Sequence, residues 1–93
     1  MTSDFVNIFC KIHGRVQGVG FRSWLKKRAI KYALKGWVRN CADLTVECEI
    51  SGEEKDIQVL LNDCKKGPIF SSVKNILIKK KPFKKYSKFN IYY

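Results

Sequence analysis

Residues 14 to 22 read Gly14-Arg15-Val16-Gln17-Gly18-Val19-Gly20-Phe21-Arg22, three glycines set between an alternating apolar run and a segment of helical spacing. Closely spaced glycines after a strand let successive backbone N–H groups turn into one concavity, which suits an anion. A helix start behind them adds unpaired N–H groups and the positive end of the helix dipole. Arg22 opposes that field unless a negative group is present, in which case its planar fork becomes the anion's partner. Spacing alone leaves two readings open, an anion cradle or a glycine-rich tight turn with an exposed arginine. Other phosphate motifs do not fit: the glycines do not form G-x-G-x-x-G, and no G-K-[ST] follows. The single histidine, His13, stands alone at a strand end and reads as structural.

The composition narrows what such a loop can serve. A chain of 93 residues is expected to form one domain, residues 1–93, with one modest core. No apolar run is long enough for a membrane span, and the N-terminal residues lack the pattern of a secretory signal, so a soluble cytoplasmic protein with no membrane partner is expected. The four cysteines form no C-x-x-C and no metal-ligand spacing, so no metal site is expected. Cys10, Cys48 and Cys64 fall on apolar phases, as free core thiols do. The formal net charge is +11, and the segment after Asp63 holds nine lysines and no acid. That balance predicts an anionic partner without choosing among nucleic acid, a membrane surface and a small anion. Lys79-Lys80-Lys81 and Lys84-Lys85 also read as a plain solvated loop.

Several elements must position the glycine loop. Phe5 to Ile12 alternates, with Val6, Ile8, Cys10 and Ile12 on one side, as a half-buried strand does. From Phe21 the period becomes helical through Trp24, Leu25, Ala29, Tyr32 and Ala33, and Gly36 is expected to end that helix. Trp37 to Cys41 reads as a strand entering a hairpin. Leu44, Val46, Cys48 and Ile50 then alternate with Thr45, Glu47 and Glu49, which are assigned to the outer face. Ser51 and Glu54 form a capping-box signal for a helix carrying Ile57, Leu60, Leu61 and Cys64, which Lys65-Lys66-Gly67-Pro68 should stop. Val73 to Ile78 and Phe89 to Tyr93 complete the strands. The order is βαββαβ with an additional short C-terminal strand, and the predicted class is α+β: a ferredoxin-like two-layer sandwich, a mainly antiparallel sheet packed on two helices. The crossover rule makes the first two strands parallel with the third between them. The glycine loop and Asn40 then leave the sheet at one end, roughly 10 Å apart.

The stretch from Gly14 to Arg22, with Gly36-Trp37-Val38-Arg39-Asn40, resembles the two signature motifs of the acylphosphatase family. The likeness extends to Val46-Glu47, to Cys64-Lys65-Lys66-Gly67-Pro68 and to the closing Phe89-Asn90-Ile91-Tyr92-Tyr93. It implies an enzyme that hydrolyses small-molecule acyl phosphates to a carboxylate and inorganic phosphate, with no cofactor. It also implies roles: Arg22 binds phosphate, Asn40 orients the attacking water, and the backbone of Arg15, Val16, Gln17, Gly18, Val19 and Gly20 forms the phosphate cradle. Inorganic phosphate or sulfate should compete for that cradle, and a monomer is expected. The chemistry suits a site without a strong acid, because the leaving carboxylate has a pKa of roughly 4.

Two departures from the family pattern stand out. Asp43-Leu44 replaces Asp-Gly after the asparagine, and since leucine resists positive φ the hairpin is expected to take another geometry. Ile69 stands where a second proline is usual, and is expected to be a packing difference. Two other functions compete with this reading. An RNA-binding module would use Phe5 and Phe9 to stack bases, but Glu47 and Glu49 on the third strand would repel phosphate, so a nucleic acid partner is not expected. A free-standing version of the acylphosphatase-like domain that opens hydrogenase-maturation carbamoyltransferases would act on carbamoyl phosphate, and an independent enzyme is the simpler expectation.

Overall fold

A computed structural model describes residues 4–93. The elements run β1 (Phe5–Arg15), α1 (Phe21–Lys31), β2 (Lys35–Asn40), β3 (Val46–Glu53), α2 (Glu54–Lys66), β4 (Ser72–Lys81) and β5 (Phe89–Tyr92). They build one five-stranded sheet in the order β4-β1-β3-β2-β5. Every ladder is antiparallel except that between β2 and β5. Helix α1 packs over β2 and β5, and α2 over β3 and β4. This is the ferredoxin-like α+β sandwich, extended by β5 alongside β2. Among the described residues no helix is long and apolar enough to cross a membrane.

Alternation places Ile8, Cys10 and Ile12 of β1 opposite Ile50, Cys48 and Val46 of β3, and all six are buried. Phe21, Leu25 and Ala29 from α1 and Ile57, Leu60, Leu61 and Cys64 from α2 close this core. Cys10, Cys48 and Cys64 are free thiols within it. In β4, Ile76 and Ile78 pair with the inward Ile12 and Cys10, so Leu77 faces outward and the consecutive apolar run is resolved.

Several local expectations are corrected. Helix α1 stops at Lys31 and Ala33 takes the left-handed conformation, at φ 58°. Gly36 lies instead inside β2, at φ 141°, where an added Cβ would stand 1.9 Å from the Glu49 carbonyl oxygen. Close strand approach and not helix termination demands that glycine. Ser51 caps no helix; it sits in β3 and its hydroxyl donates to the Lys84 carbonyl, while Glu53 occupies the cap position without a side-chain bond. Thr45 is buried, not outward. Lys79, Lys80 and Lys81 belong to β4, not to a loop. Ile69 is 89% exposed and so packs against little.

The segment after β4 crosses the outer face of the sheet. The Asn7 carboxamide donates to the Pro82 carbonyl and to Glu49, the Tyr86 hydroxyl donates to Glu49 at 2.6 Å, and Phe5 meets Phe83 edge to face. The crossing segment therefore contacts the outer side of β1, although Phe5 stays 56% exposed.

The two helices are tied together by Asp63 of α2, which accepts from the Tyr32 hydroxyl at 2.5 Å and from Arg28 at 3.0 Å. The Tyr32 hydrogen bond foremost, then Arg28, holds the Asp63 carboxyl below its ordinary range against the opposing effect of burial. A carboxylate depressed in the folded state stabilises above the unfolded pKa of about 4, and that contribution is lost as pH falls through the folded value. Stability should therefore fall on acidification below about pH 4, and Asp63→Asn should flatten that fall in urea titrations taken at successive pH values. Gly36→Ala should cost roughly 2–4 kcal/mol by the same titration at neutral pH. An alanine variant of unchanged midpoint would mean that β2 and β3 separate freely at this point.

Candidate active site

β1 and β2 run parallel on either side of β3, so the loop after β1 and the hairpin after β2 emerge at the same end of the sheet. There Val16, Gly18, Gly20, Phe21, Arg22, Ser23, Asn40, Ile91 and Tyr93 line one cavity of about 220 Å³. The sequence-predicted pair, Arg22 and Asn40, thus meets across a single space. Of the six cradle residues, Val16, Gly18 and Gly20 line it and Arg15, Gln17 and Val19 do not. Arg15 ends β1 opposite Ser72, and Val19 is packed partly against the core. His13 stays in the β1 ladder opposite Asn75, away from the cavity.

The loop keeps its backbone open toward the cavity. Gly18 and Gly20 have φ of 72° and 76°, and a Cβ at either would meet nothing within 4 Å, so conformation and not space calls for glycine. Gly20 is the N-cap of α1, with no side-chain cap and no acid in the first turn. The first intrahelical bond runs from the Trp24 amide to the Gly20 carbonyl, which leaves the amides of Phe21, Arg22 and Ser23 without helical acceptors at the cavity wall.

Arg22 is held from the far strand. One guanidinium nitrogen donates to the Tyr92 carbonyl at 3.2 Å, and the group lies over the Tyr93 ring, 4.6 Å from its centre. A guanidinium has five N–H donors, so the fork keeps donors for the cavity. Tyr92 and Tyr93, with Ile91 and Ser23, enter the site unforeseen by periodicity. The parallel β2–β5 pairing, Val38 beside Ile91 and Arg39 beside Tyr92, brings the three β5-end residues there, while Ser23 arrives with the first turn of α1.

Asn40 closes β2 opposite Val46. The turn beyond it is closed by the Leu44 amide bonding the Cys41 carbonyl, and Leu44 itself adopts φ 72° with 68% exposure. The expectation of another geometry is thus corrected: leucine accepts the left-handed conformation that glycine would take at no cost. Asp43 supports the turn, accepting from the Thr45 hydroxyl and amide and pairing with Lys11 at 2.9 Å. The Thr45 hydroxyl and the Lys11 ammonium hold the Asp43 carboxyl far below its ordinary range. The Gln17 side chain, not anticipated, donates to the Cys41 carbonyl at 2.8 Å and to the Thr45 carbonyl at 2.9 Å. Loop and hairpin are joined directly.

Among the described residues no Asp or Glu lines the cavity. Glu47, the nearest acid on β3, is bound to Arg39 at 2.7 Å and lies 3.7 Å from Lys11. Its carboxyl is depressed chiefly by Arg39. Among the described residues no three His, Cys, Asp or Glu side chains are grouped to hold a metal. The space offers an arginine fork, helix-start amides, a carboxamide and two hydroxyls. Such a set can grip an anion and orient a small polar molecule.

The acylphosphatase family profile matches residues 8–91. An acylphosphatase of Acidiphilium cryptum is 47% identical over 66 residues, which span 71% of this chain and 72% of that one. The crystal structure of acylphosphatase from Bacillus subtilis superposes with a TM-score of 0.92 at 35% identity, covering 95% of this chain and 99% of that one. The crystal structure of full-length HypF in its phosphate- and nucleotide-bound form matches 99% of this chain but 12% of its own, with a TM-score of 0.87 and 33% identity. A profile match spanning nearly all of the sheet and both helices, with relatives of similar length, establishes that this chain belongs to the acylphosphatase family, hydrolases that split the acid anhydride of acyl phosphates.

Proposed function

We propose that residues 1–93 form one monomeric catalytic domain in which Arg22 and the backbone from Arg15 to Gly20 hold the phosphoryl group while Asn40 aims the attacking water. The observation that carries this reading is the cavity whose lining brings together Arg22, Asn40, Gly18 and Gly20 with no Asp or Glu residue among them.

The substrate is a mixed anhydride. Water oxygen attacks phosphorus in line, the bond between phosphorus and the acyl oxygen breaks, and the electron pair leaves on a carboxylate. With a leaving group of pKa roughly 4, protonation of the departing oxygen contributes little. Positioning and charge stabilisation carry the rate. The Arg22 fork and the helix-start amides take up negative charge on the phosphoryl oxygens. The Asn40 carboxamide orients water but is no base, so the water's proton passes to a phosphoryl oxygen of the substrate and leaves with inorganic phosphate.

The division of labour is testable with benzoyl phosphate hydrolysis, phosphate affinity and thermal unfolding measured on the same proteins. Asn40→Ala should lose turnover by about 10²-fold or more with nearly unchanged affinity for inorganic phosphate. Arg22→Ala should lose both. Arg22→Lys should be impaired on a similar scale, since an ammonium reproduces neither the fork nor its bond to Tyr92. All three should remain folded, because these residues lie outside the core. Near-parent turnover in Asn40→Ala would assign the water to another group.

Every step is assigned to groups of the chain and its substrate. Turnover should accordingly persist in excess chelator, and inorganic phosphate and sulfate should inhibit competitively. Loss of turnover on chelation, restored by a divalent cation, would overturn this mechanism.

A further inference from the structure

The side of the molecule away from the active site carries a second feature. Among the described residues strand β4 is the margin of the sheet, paired only with β1, and it runs for ten residues. Beside it α2 covers β4 incompletely. Two adjoining cavities, of about 330 and 420 Å³, share Leu61, Lys65 and Ile78, and neither shares a residue with the active-site cavity. Ile76 and Ile78 of β4 point into this groove and Val59 of α2 borders it, with Ile78 53% and Val59 46% exposed. The segment that leaves β4 crosses the opposite, outer face, so it leaves this groove open.

The chemistry narrows the occupant. A free strand margin presents a row of main-chain donors and acceptors, which only another polypeptide strand matches along its length. The groove takes apolar side chains from every second position of such a strand. Its surroundings are cationic: Lys65 and Lys74 line it, and Lys79, Lys80 and Lys81 extend along β4, in a region without acids after Asp63. A second copy of this chain would set one lysine-rich β4 against another, which like-charge repulsion disfavours. Nucleic acid answers the charge but neither the main-chain row nor the apolar pockets.

We propose that β4 and the groove between it and α2 dock an extended acidic segment of another protein. The segment adds as a sixth strand, with its apolar side chains in the groove and its carboxylates on the other face, toward Lys79 and Lys81. Recognition rests on main-chain pairing and apolar burial together, and the lysines select an acidic partner while rejecting a basic one.

The test uses the full chain and a capped eight-residue peptide alternating valine and glutamate, followed by calorimetry and by amide chemical shifts. Binding should shift and protect the amides of residues 72–81 while leaving those of residues 15–22 in place. Added salt should weaken it without abolishing it. The same peptide N-methylated at alternate residues keeps its charge but cannot pair, and should bind at least about tenfold more weakly. Ile78→Asp and Lys79→Glu should weaken binding on the same scale while benzoyl phosphate turnover stays at the parent level, which certifies their folding. Equal binding of the N-methylated peptide would reduce the contact to charge alone and overturn the proposal. So would equal or tighter binding of an eight-residue oligothymidylate at the same amides, self-association through β4 without peptide, or no shift at millimolar peptide.

Discussion

The two amide hydrogens of Gln17 span the gap on which the active-site geometry depends. Sheet topology brings the loop after β1 and the hairpin after β2 to one end, yet β3 lies between their strands and leaves them as separate bodies. Gln17 reaches from the loop to the Cys41 and Thr45 carbonyls, on both sides of the turn, and makes them one unit. Each such bond is worth only about 1 kcal/mol net. Its importance is geometric, because Asn40 immediately precedes the bonded Cys41. Asp43, Lys11 and Thr45 brace the same turn from its other side, and the exposed Leu44 pays a left-handed backbone within it.

A second constraint is electrostatic. Arg22 stands where the dipole of α1 is already positive, so the arginine needs negative partial charge from elsewhere. The Tyr92 carbonyl and the face of the Tyr93 ring supply it. The nearby carboxylates are engaged outside the cavity, Asp43 with Lys11 and Glu47 with Arg39. Among the described residues no Asp or Glu therefore stands beside the positive end of α1 in the cavity lining.

The outer face of the sheet shows the same economy of charge. Glu49, which as an isolated carboxylate would stand open on β3, is bonded by Asn7 and by Tyr86 of the crossing segment. Phe9, Trp37 and Tyr92 continue an aromatic row across the uncovered part, with Arg39 over Trp37. The lysine-rich region therefore divides in two. One part folds over the sheet through backbone carbonyls, and the other remains on the margin strand β4.

Much of this was legible from residue order because it depends on local period and local chemistry. Alternation in β1 and β3, helical spacing from Phe21 and from Ile57, and the stop at Gly67-Pro68 are written in neighbouring residues, and they determine the βαββαβ order. Backbone freedom and helix-end charge made the glycine loop with Arg22 readable as an anion cradle or a tight turn, and resemblance to the family singled out Asn40 beside it. What tertiary structure alone decided is where distant segments touch. Gly36 reads as a helix stop until the Glu49 carbonyl of the neighbouring strand is seen against it, and Ser51 reads as a cap until Lys84 crosses above it. Tyr92 and Tyr93 read locally as the end of a strand, and their contact with Arg22 comes from β5 pairing in parallel with β2. Periodicity reports which face of an element is buried; the partner across the gap is chosen by the packing of the whole chain.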